Sequence, residues 1–367
     1  TPATTENVAS LAIVGTDLWL TTVPLSKVTS AGARTAQTMS GFNFGQTSIY
    51  ARSTSEIVSG GLAGSMWRTV NGAVAAPTWG AVTTGNSGAV NDLSIPPGAG
   101  NTVWAVSNIG FIAKNSLAAT SPGGWTQQGA GVTTLALYSV AAINLNVVQA
   151  VGQSGTIVNT TNGGTTWVED AASTIATTNT LYGVSCRALT GAEACLAVGA
   201  QQTILKWDGT TWTTKFVGGA APNFLAVANY LDNAASPGAH AVIVGAAGAI
   251  RTITGTAAPV DHSVATGLTL NAVAAKKDGS GVVITVGNGG LVYKSTDHGA
   301  SWAVKTAFTS SPLLDVEHGT GTTWYAVSGP GSGTNTVFKS TDDGETWAPL
   351  VPMTSSINFY LVTVSTA

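Results

Sequence analysis

Charge is scarce in this sequence. Asp, Glu, Lys and Arg make up 8% of its 367 residues, against about a quarter in an ordinary globular protein, so the polar surface has to be built from Thr, Ser, Asn, Gln and Gly. The 14 Lys and Arg form no basic run and the formal net charge is -3. A surface that tracks phosphates needs clustered cations, and nucleic acid is excluded as a partner. Long hydrophobic runs are missing as well. Although 44% of the residues are hydrophobic, Gly, Thr and Asn interrupt them long before the roughly 18 in a row that a membrane-spanning helix needs, so no transmembrane segment is expected. No stretch shows a helical period with caps. The four histidines, His240, His262, His298 and His318, fall in separate parts of the chain without metal-ligand spacing such as H-x-x-x-H. They read as loop or surface residues, and no metal and no cofactor are expected. The N-terminal TPATTENVAS has neither a basic nor an apolar signal region, and a start at Thr suggests that a segment such as a signal peptide was removed.

What the sequence does have is repetition. KSTDHGASW (Lys294 to Trp302) recurs as KSTDDGETW (Lys339 to Trp347), as NTTNGGTTW (Asn159 to Trp167) and, shortened, as KWDGTTW (Lys206 to Trp212). Upstream lies a second phrase, QAVGQSGTI from Gln149, LAVGAQQTI from Leu196, VIVGAAGAI from Val242 and ITVGNGGLV from Ile284. Before it comes a third, LYSVAA from Leu137, LYGVSC from Leu181, FLAVAN from Phe224, LNAVAA from Leu270 and LLDVEH from Leu313. Each phrase has the length, β-branched content and Gly/Asn/Asp borders of a strand. The order per repeat is strand A (LYSV), strand B (QAVG), strand C (GTIVNT), the box turn, and strand D beginning at Trp.

Four strands recurring every forty or so residues describe a β-propeller blade. The expected fold is therefore all-β, a single propeller domain over residues 1–367. A strands fall near 46, 90, 136, 180, 224, 269, 312 and 358, which gives eight blades, with a seven-bladed ring carrying one irregular blade as the alternative. LAIVGTDLWLTT, from Leu11, aligns with a B–C pair that lacks its own A strand, and NFYLVTVS, Asn358 to Ser365, is an A strand with no B strand after it. The C-terminal strand is expected to complete the first blade and leave no loose edge.

The boxes have a mechanical reading. In S-x-D-x-G-x-T-W the Asp accepts N–H bonds across the C–D turn, the Gly takes an unusual backbone conformation, and the Trp buries a ring between neighbouring blades. The structural box residues are thus Asn162, Gly164 and Trp167; Asp297, Gly299 and Trp302; and Asp342, Gly344 and Trp347. These boxes resemble the Asp-box, or BNR, repeats of sialidase-like propellers. The longer phrase from Val151 to Trp167 resembles the repeats of the photosystem II assembly-factor family and its secreted bacterial relatives. The likeness is clear in repeats 4, 7 and 8, partial in 2, 3 and 5, and faint in 1 and 6. It implies the propeller fold. That family is seven-bladed and uses an arginine-rich patch, whereas the five arginines here are scattered at 34, 52, 68, 187 and 251, so photosystem work is not implied. The sialidase Arg-Ile-Pro is also absent.

Two further sets of residues stand out. Aligning the A strands places Ser139, Gly183, Ala226 and Ala272 just before the recurrent Val in repeats 4 to 7, but Asp92 and Asp315 in repeats 3 and 8. With A innermost, Asp92 and Asp315 are expected to face channel water, and Glu317 shares a face with Asp315 by strand parity. A hydrated lining is the first reading of these three; a cation or catalytic site is the second, because paired carboxylates are what glycoside hydrolysis uses. Cys186 ends strand A of repeat 5 and Cys195 opens its strand B, so the hairpin sets them opposite each other at disulfide distance, with two buried thiols as the alternative. A disulfide implies an oxidising compartment. The sequence thus points to a non-catalytic protein-binding or scaffold module in the periplasm, at the cell surface or secreted, engaging a protein partner or a larger extracytoplasmic assembly; a glycan partner is compatible with the same fold. The alternatives are a structural subunit of a surface layer, filament or virion and, less well supported, a glycoside hydrolase or sialidase-like enzyme.

Overall fold

The computed structural model describes residues 11–14, 17–20, 26–28, 34–36, 46–51, 57–61, 64–69, 80–83, 87–96, 102–116, 125–170, 177–187, 194–231, 238–329 and 334–354. Among these, the strands form eight antiparallel sheets of four strands each, every sheet a simple meander. The A strands are Gln46–Ala51, Val90–Ser94, Leu137–Ala142, Leu181–Cys186, Phe224–Leu231, Leu270–Ala275 and Leu313–His318. From Gln46–Ala51 to Leu313–His318, each A strand lies against the A strand of the next sheet, so these sheets stand side by side along a common inner lining.

Burial follows strand position. The B strands Val148–Gly152, Cys195–Gly199, Val283–Gly287 and Trp324–Ser328 are buried along their whole length, because each is flanked within its sheet by A and C and covered on both faces by neighbouring sheets. They read accordingly as mostly apolar runs, broken only by the buried Gln149, Thr285 and Ser328. The D strands Val168–Glu169, Val260–Asp261 and Ala303–Val304 are exposed at the rim. The core is the set of layers between successive sheets. One layer joins Val151 and Ile157 of repeat 4 to Leu181, Ala197, Leu205 and Trp212 of repeat 5; another joins Ile284 and Val286 of repeat 7 to Leu313, Trp324 and Phe338 of repeat 8. Trp104, Trp212, Trp324 and Phe224 are among the largest fully buried side chains. Each contributes on the order of 1.5–3 kcal/mol by leaving water.

The Gly of the recurrent VG phrase is set by a close approach. A Cβ on Gly152, Gly199, Gly245 or Gly287 would lie 1.9–2.2 Å from the carbonyl oxygen of Ala136, Thr180, Asn223 or Thr269, the residue just before strand A. The N–H of the residue after each Gly donates to that same carbonyl at 2.8–2.9 Å. Only a residue without a side chain lets strand B meet the start of strand A this closely.

The first sheet differs from expectation. Leu11–Val14 pairs with Asp17–Leu20 as the anticipated B–C hairpin, but Ser26–Val28 and Arg34–Ala36 continue the meander. The sheet therefore reaches four strands without the C-terminus, because the chain after Thr22 supplies two further short strands. Among the described residues the other edge of Leu11–Val14 has no ladder partner. The segment Asn358–Ser365 lies outside the described residues.

Candidate functional site

The inner lining is organised by a bulge that recurs at the start of strand A. In repeats 4 to 8 the pairing with strand B skips one residue, between Leu137 and Ser139, Leu181 and Gly183, Phe224 and Ala226, Leu270 and Ala272, and Leu313 and Asp315. In repeat 3 the skipped residue is Asn91, and Asp92 follows it. A bulge turns the strand and re-aims the next side chain, so the position singled out by alignment is the one the backbone points in a special direction.

At that position side chains reach sideways to the next repeat. Asp92 Oδ2 accepts the Val140 N–H at 2.8 Å and the Ser139 hydroxyl at 3.0 Å, while Oδ1 accepts the N–H of Leu93 at 2.8 Å. Ser139 Oγ in turn accepts the Val184 N–H of repeat 5 at 3.3 Å. Two residues on, Ser94 accepts from Ala142 at 3.0 Å and Ser185 from Asn229 at 3.2 Å. The bulged asparagines work in the same sense, Asn91 donating to the Leu137 carbonyl and Asn271 to that of Leu313, each at 2.7 Å. Asp92 was expected to face channel water; instead it is 2% exposed and its carboxylate caps the inner strand of the next repeat. The reason is the neighbour: Ser139 and the adjoining N–H present donors where open solvent was anticipated.

Asp315 occupies the same position in repeat 8 with a different outcome. It is 6% exposed, its carboxylate accepts the N–H of Val316, and Oδ2 is buried without a hydrogen-bond partner among the described residues. Burial, and then the nearby Glu317 carboxylate, hold its pKa well above the usual carboxylate range. Glu317 is pushed up to about 8 by burial, opposed by the charge of Lys277. Both acids line an inner cavity of about 210 Å³ bounded by the A strands of repeats 4 to 8, whose walls include Gly183, Ala226, Ala228, Ala272 and Ala274. A second cavity of about 370 Å³, bordered by Lys277, Asp278, Glu317 and His318, meets the first at Ala275, Lys277 and Glu317 and forms its mouth. Sequence parity brought Glu317 to Asp315. Nothing in the sequence signalled Lys277, which lies beyond the end of strand A in the preceding repeat.

The box turns are closed by hydrogen bonds. Asp342 Oδ1 accepts from the Ser340 hydroxyl at 2.7 Å and the Thr346 N–H at 2.9 Å, and Oδ2 from the Thr346 hydroxyl at 2.6 Å. Asp297 makes the matching set with Ser295 and Ser301, and Asn162 replaces the carboxylate with its amide between Thr160 and Thr166. The hydroxyl and N–H of Thr346 hold Asp342 at about 2. Gly164, Gly299 and Gly344 have φ of 89°, 88° and 78°. Trp167 packs edge-on against Trp104 of repeat 3 at 5.5 Å, Trp347 stacks on Phe308 at 5.5 Å, and Trp302 lies against the layer containing Tyr230 and Val242 of repeat 6.

Cys186 and Cys195 are disulfide-bonded across the A–B hairpin of repeat 5. Two of the histidines, read as separate loop or surface residues, are brought together. His240 in strand B of repeat 6 and His298 in the box turn of repeat 7 stack with ring centroids 3.8 Å apart, and Tyr230 Oη lies 3.2 Å from His298 Nδ1. Lateral packing of one repeat's turn on its neighbour's strand makes this contact, which spacing along one chain cannot reveal. Among the described residues no three His, Cys, Asp or Glu side chains gather as metal ligands, and no helix is long and apolar enough to cross a membrane.

No family model and no curated protein matches the chain. Solved structures do. The C-terminal WD40 domain of Sif2 aligns with a TM-score of 0.64 at 11% identity, covering 89% of this chain and 97% of that one. A structure titled YCF48 bound to D1 peptide aligns at 0.55 and 13% identity over 89% and 95%. YCF48 from Cyanidioschyzon merolae aligns at 0.51 and 18% identity over 83% and 96%. At such identities the likeness carries the fold alone: the chain is an all-β protein with the β-propeller fold.

Proposed function

We propose that this chain is a non-catalytic, extracytoplasmic protein-binding or scaffold module, an eight-bladed propeller in which the strand Asn358–Ser365 closes the ring along the edge of Leu11–Val14. The observation that carries the binding reading is the fold itself, shared along most of its length with a propeller solved with a peptide bound. The disulfide between Cys186 and Cys195 supports an oxidising compartment. In this reading the box residues Asn162, Asp297 and Asp342, with their glycines and tryptophans, are turn staples, since their oxygens are occupied by their own turns. Asp315 and Glu317 are the channel-lining residues that remain for ligand contact. The test has three arms on purified full-length protein: light scattering for oligomeric state, cross-linking to partners in an extract of the native source, and a panel of aryl glycosides and sialosides. A monomer that cross-links to a defined protein and hydrolyses nothing supports the proposal. Spontaneous growth into large particles would favour the surface-layer, filament or virion subunit, and turnover lost in Glu317→Gln would favour the enzyme.

A further inference from the structure

We propose that the inner cavity is a binding site for a primary ammonium group, held by Asp315 and Glu317 and admitted through the mouth beside Lys277. The first ground is the contrast between two equivalent residues. Asp92 and Asp315 both follow the strand A bulge, yet the Asp92 oxygens are occupied by N–H and O–H donors whereas Asp315, which lines the cavity, keeps a buried Oδ2 with no donor among the described residues. A buried acceptor without a donor costs about 1–3 kcal/mol, and a ligand that supplies the donor recovers that cost.

The second ground is charge. The described charged and titratable groups around Glu317 are Asp315 from its own strand, Lys276, Lys277 and Asp278 from repeat 7, and His318 at the mouth; Tyr230 lines the far wall. Three carboxylic acids, Asp278, Asp315 and Glu317, against Lys276 and Lys277 leave an excess of one acid. Lys277 itself is exposed to solvent and stands at the mouth, whereas the neighbouring Lys276 is paired with Asp343 and Asp278, each at 3.2 Å.

The third ground is shape and ligand type. An ammonium carries three N–H donors, and the alanine walls suit an alkyl stem. A calcium ion wants about six to eight oxygens, and no cluster of three metal-ligating side chains exists among the described residues.

The same chemistry can come from a free amine or from a lysine side chain of a partner protein, and the experiment separates them. Full-length protein is titrated calorimetrically with n-butylammonium chloride at constant ionic strength, then with acetyl-Gly-Lys-Gly-amide and its Nε-acetylated form. The expected result is saturable n-butylammonium binding that weakens at least about tenfold in Asp315→Asn and in Glu317→Gln, as loss of a charge-assisted bond implies. Binding should release a proton near pH 7, because the cation favours the ionised form of Glu317, and affinity should rise with pH until about 8; Glu317→Gln should reduce that pH dependence to the part that comes from Asp315, whose pKa burial also raises. Tighter binding of the lysine peptide, lost on acetylation, assigns a protein partner; binding of n-butylammonium but not of the peptide assigns a free amine. Absence of saturable binding in the wild type overturns the proposal, as does displacement of the amine by calcium chloride. Loss of stability in Asp315→Asn with unchanged amine binding also overturns it, and would make Asp315 a cap on a neighbouring strand like Asp92.

Discussion

Asp92 and Asp315 sit at the same place in two repeats, so truncating each to Ala should give opposite results. Asp92→Ala removes an acceptor from the Val140 N–H at 2.8 Å and the Ser139 hydroxyl at 3.0 Å, both buried at the junction of repeats 3 and 4. A hydrogen bond to a charged group contributes about 1.5–3 kcal/mol, and an orphaned buried donor costs about 1–3 kcal/mol. Ser139 can rotate its hydroxyl to another acceptor, so the backbone N–H dominates, and a net loss of about 3 kcal/mol is expected. Asp315→Ala removes one bond, from the N–H of Val316, together with a buried carboxylate whose Oδ2 has no donor and whose ionisation is opposed by burial and by Glu317. Its effect at pH 7 should lie between zero and a gain of about 1–2 kcal/mol. The assay is urea unfolding at pH 7 followed by both Trp fluorescence and far-ultraviolet circular dichroism, since coincident curves are needed before a single free energy is defined in a repeat array. Equal destabilisation by the two variants would refute the reasoning, because it would mean that Asp315 is satisfied as Asp92 is.

The folded pKa of Glu317 is raised from 4.5 to about 8, so the unfolded chain holds fewer protons across that window and stability should fall as pH rises from about 4.5 to about 8; at about 1.4 kcal/mol per pH unit the ceiling is roughly 5 kcal/mol. Glu317→Gln should flatten this decline, measured as urea midpoints between pH 4 and 9. Asp342 has the opposite sign: its pKa is lowered to about 2, so its contribution is present above about 4 and is lost as pH falls through 2. Because the side chain is exposed, Asp342→Ala should cost no more than about 1 kcal/mol at pH 7, checked by the same unfolding curves. Replacing Cys186 and Cys195 together by Ser should cost about 2–3 kcal/mol, since the bond closes a short loop, and mass spectrometry of unreduced peptides from native material should show the two joined. Deleting residues 357–367 should lower the melting temperature; an unchanged melt would end the proposal that Asn358–Ser365 closes the ring.

The repeats were legible because the physics that shapes each blade acts over a few residues. VG marks the place where strand B meets the carbonyl before strand A, as Gly152 and Ala136 show; a box such as Ser340 to Trp347 closes on itself through bonds spanning two to four positions. Strand order, the A–B pairing of Cys186 with Cys195 and the shared face of Asp315 and Glu317 follow from the same short-range geometry, and all could be read from one chain. What the sequence could not determine is what each side chain meets in the next repeat. Asp92 and Asp315 look alike in alignment, yet one is a buried cap and the other lines a cavity, because Ser139 and the Val140 N–H lie opposite Asp92 and no donor among the described residues meets Asp315 Oδ2. His240 and His298, far apart along the chain, stack for the same reason. Within a strand, side-chain direction follows the two-residue period of the backbone; between strands of different repeats, contact depends on how sheets pack laterally, and that is decided only in the tertiary structure.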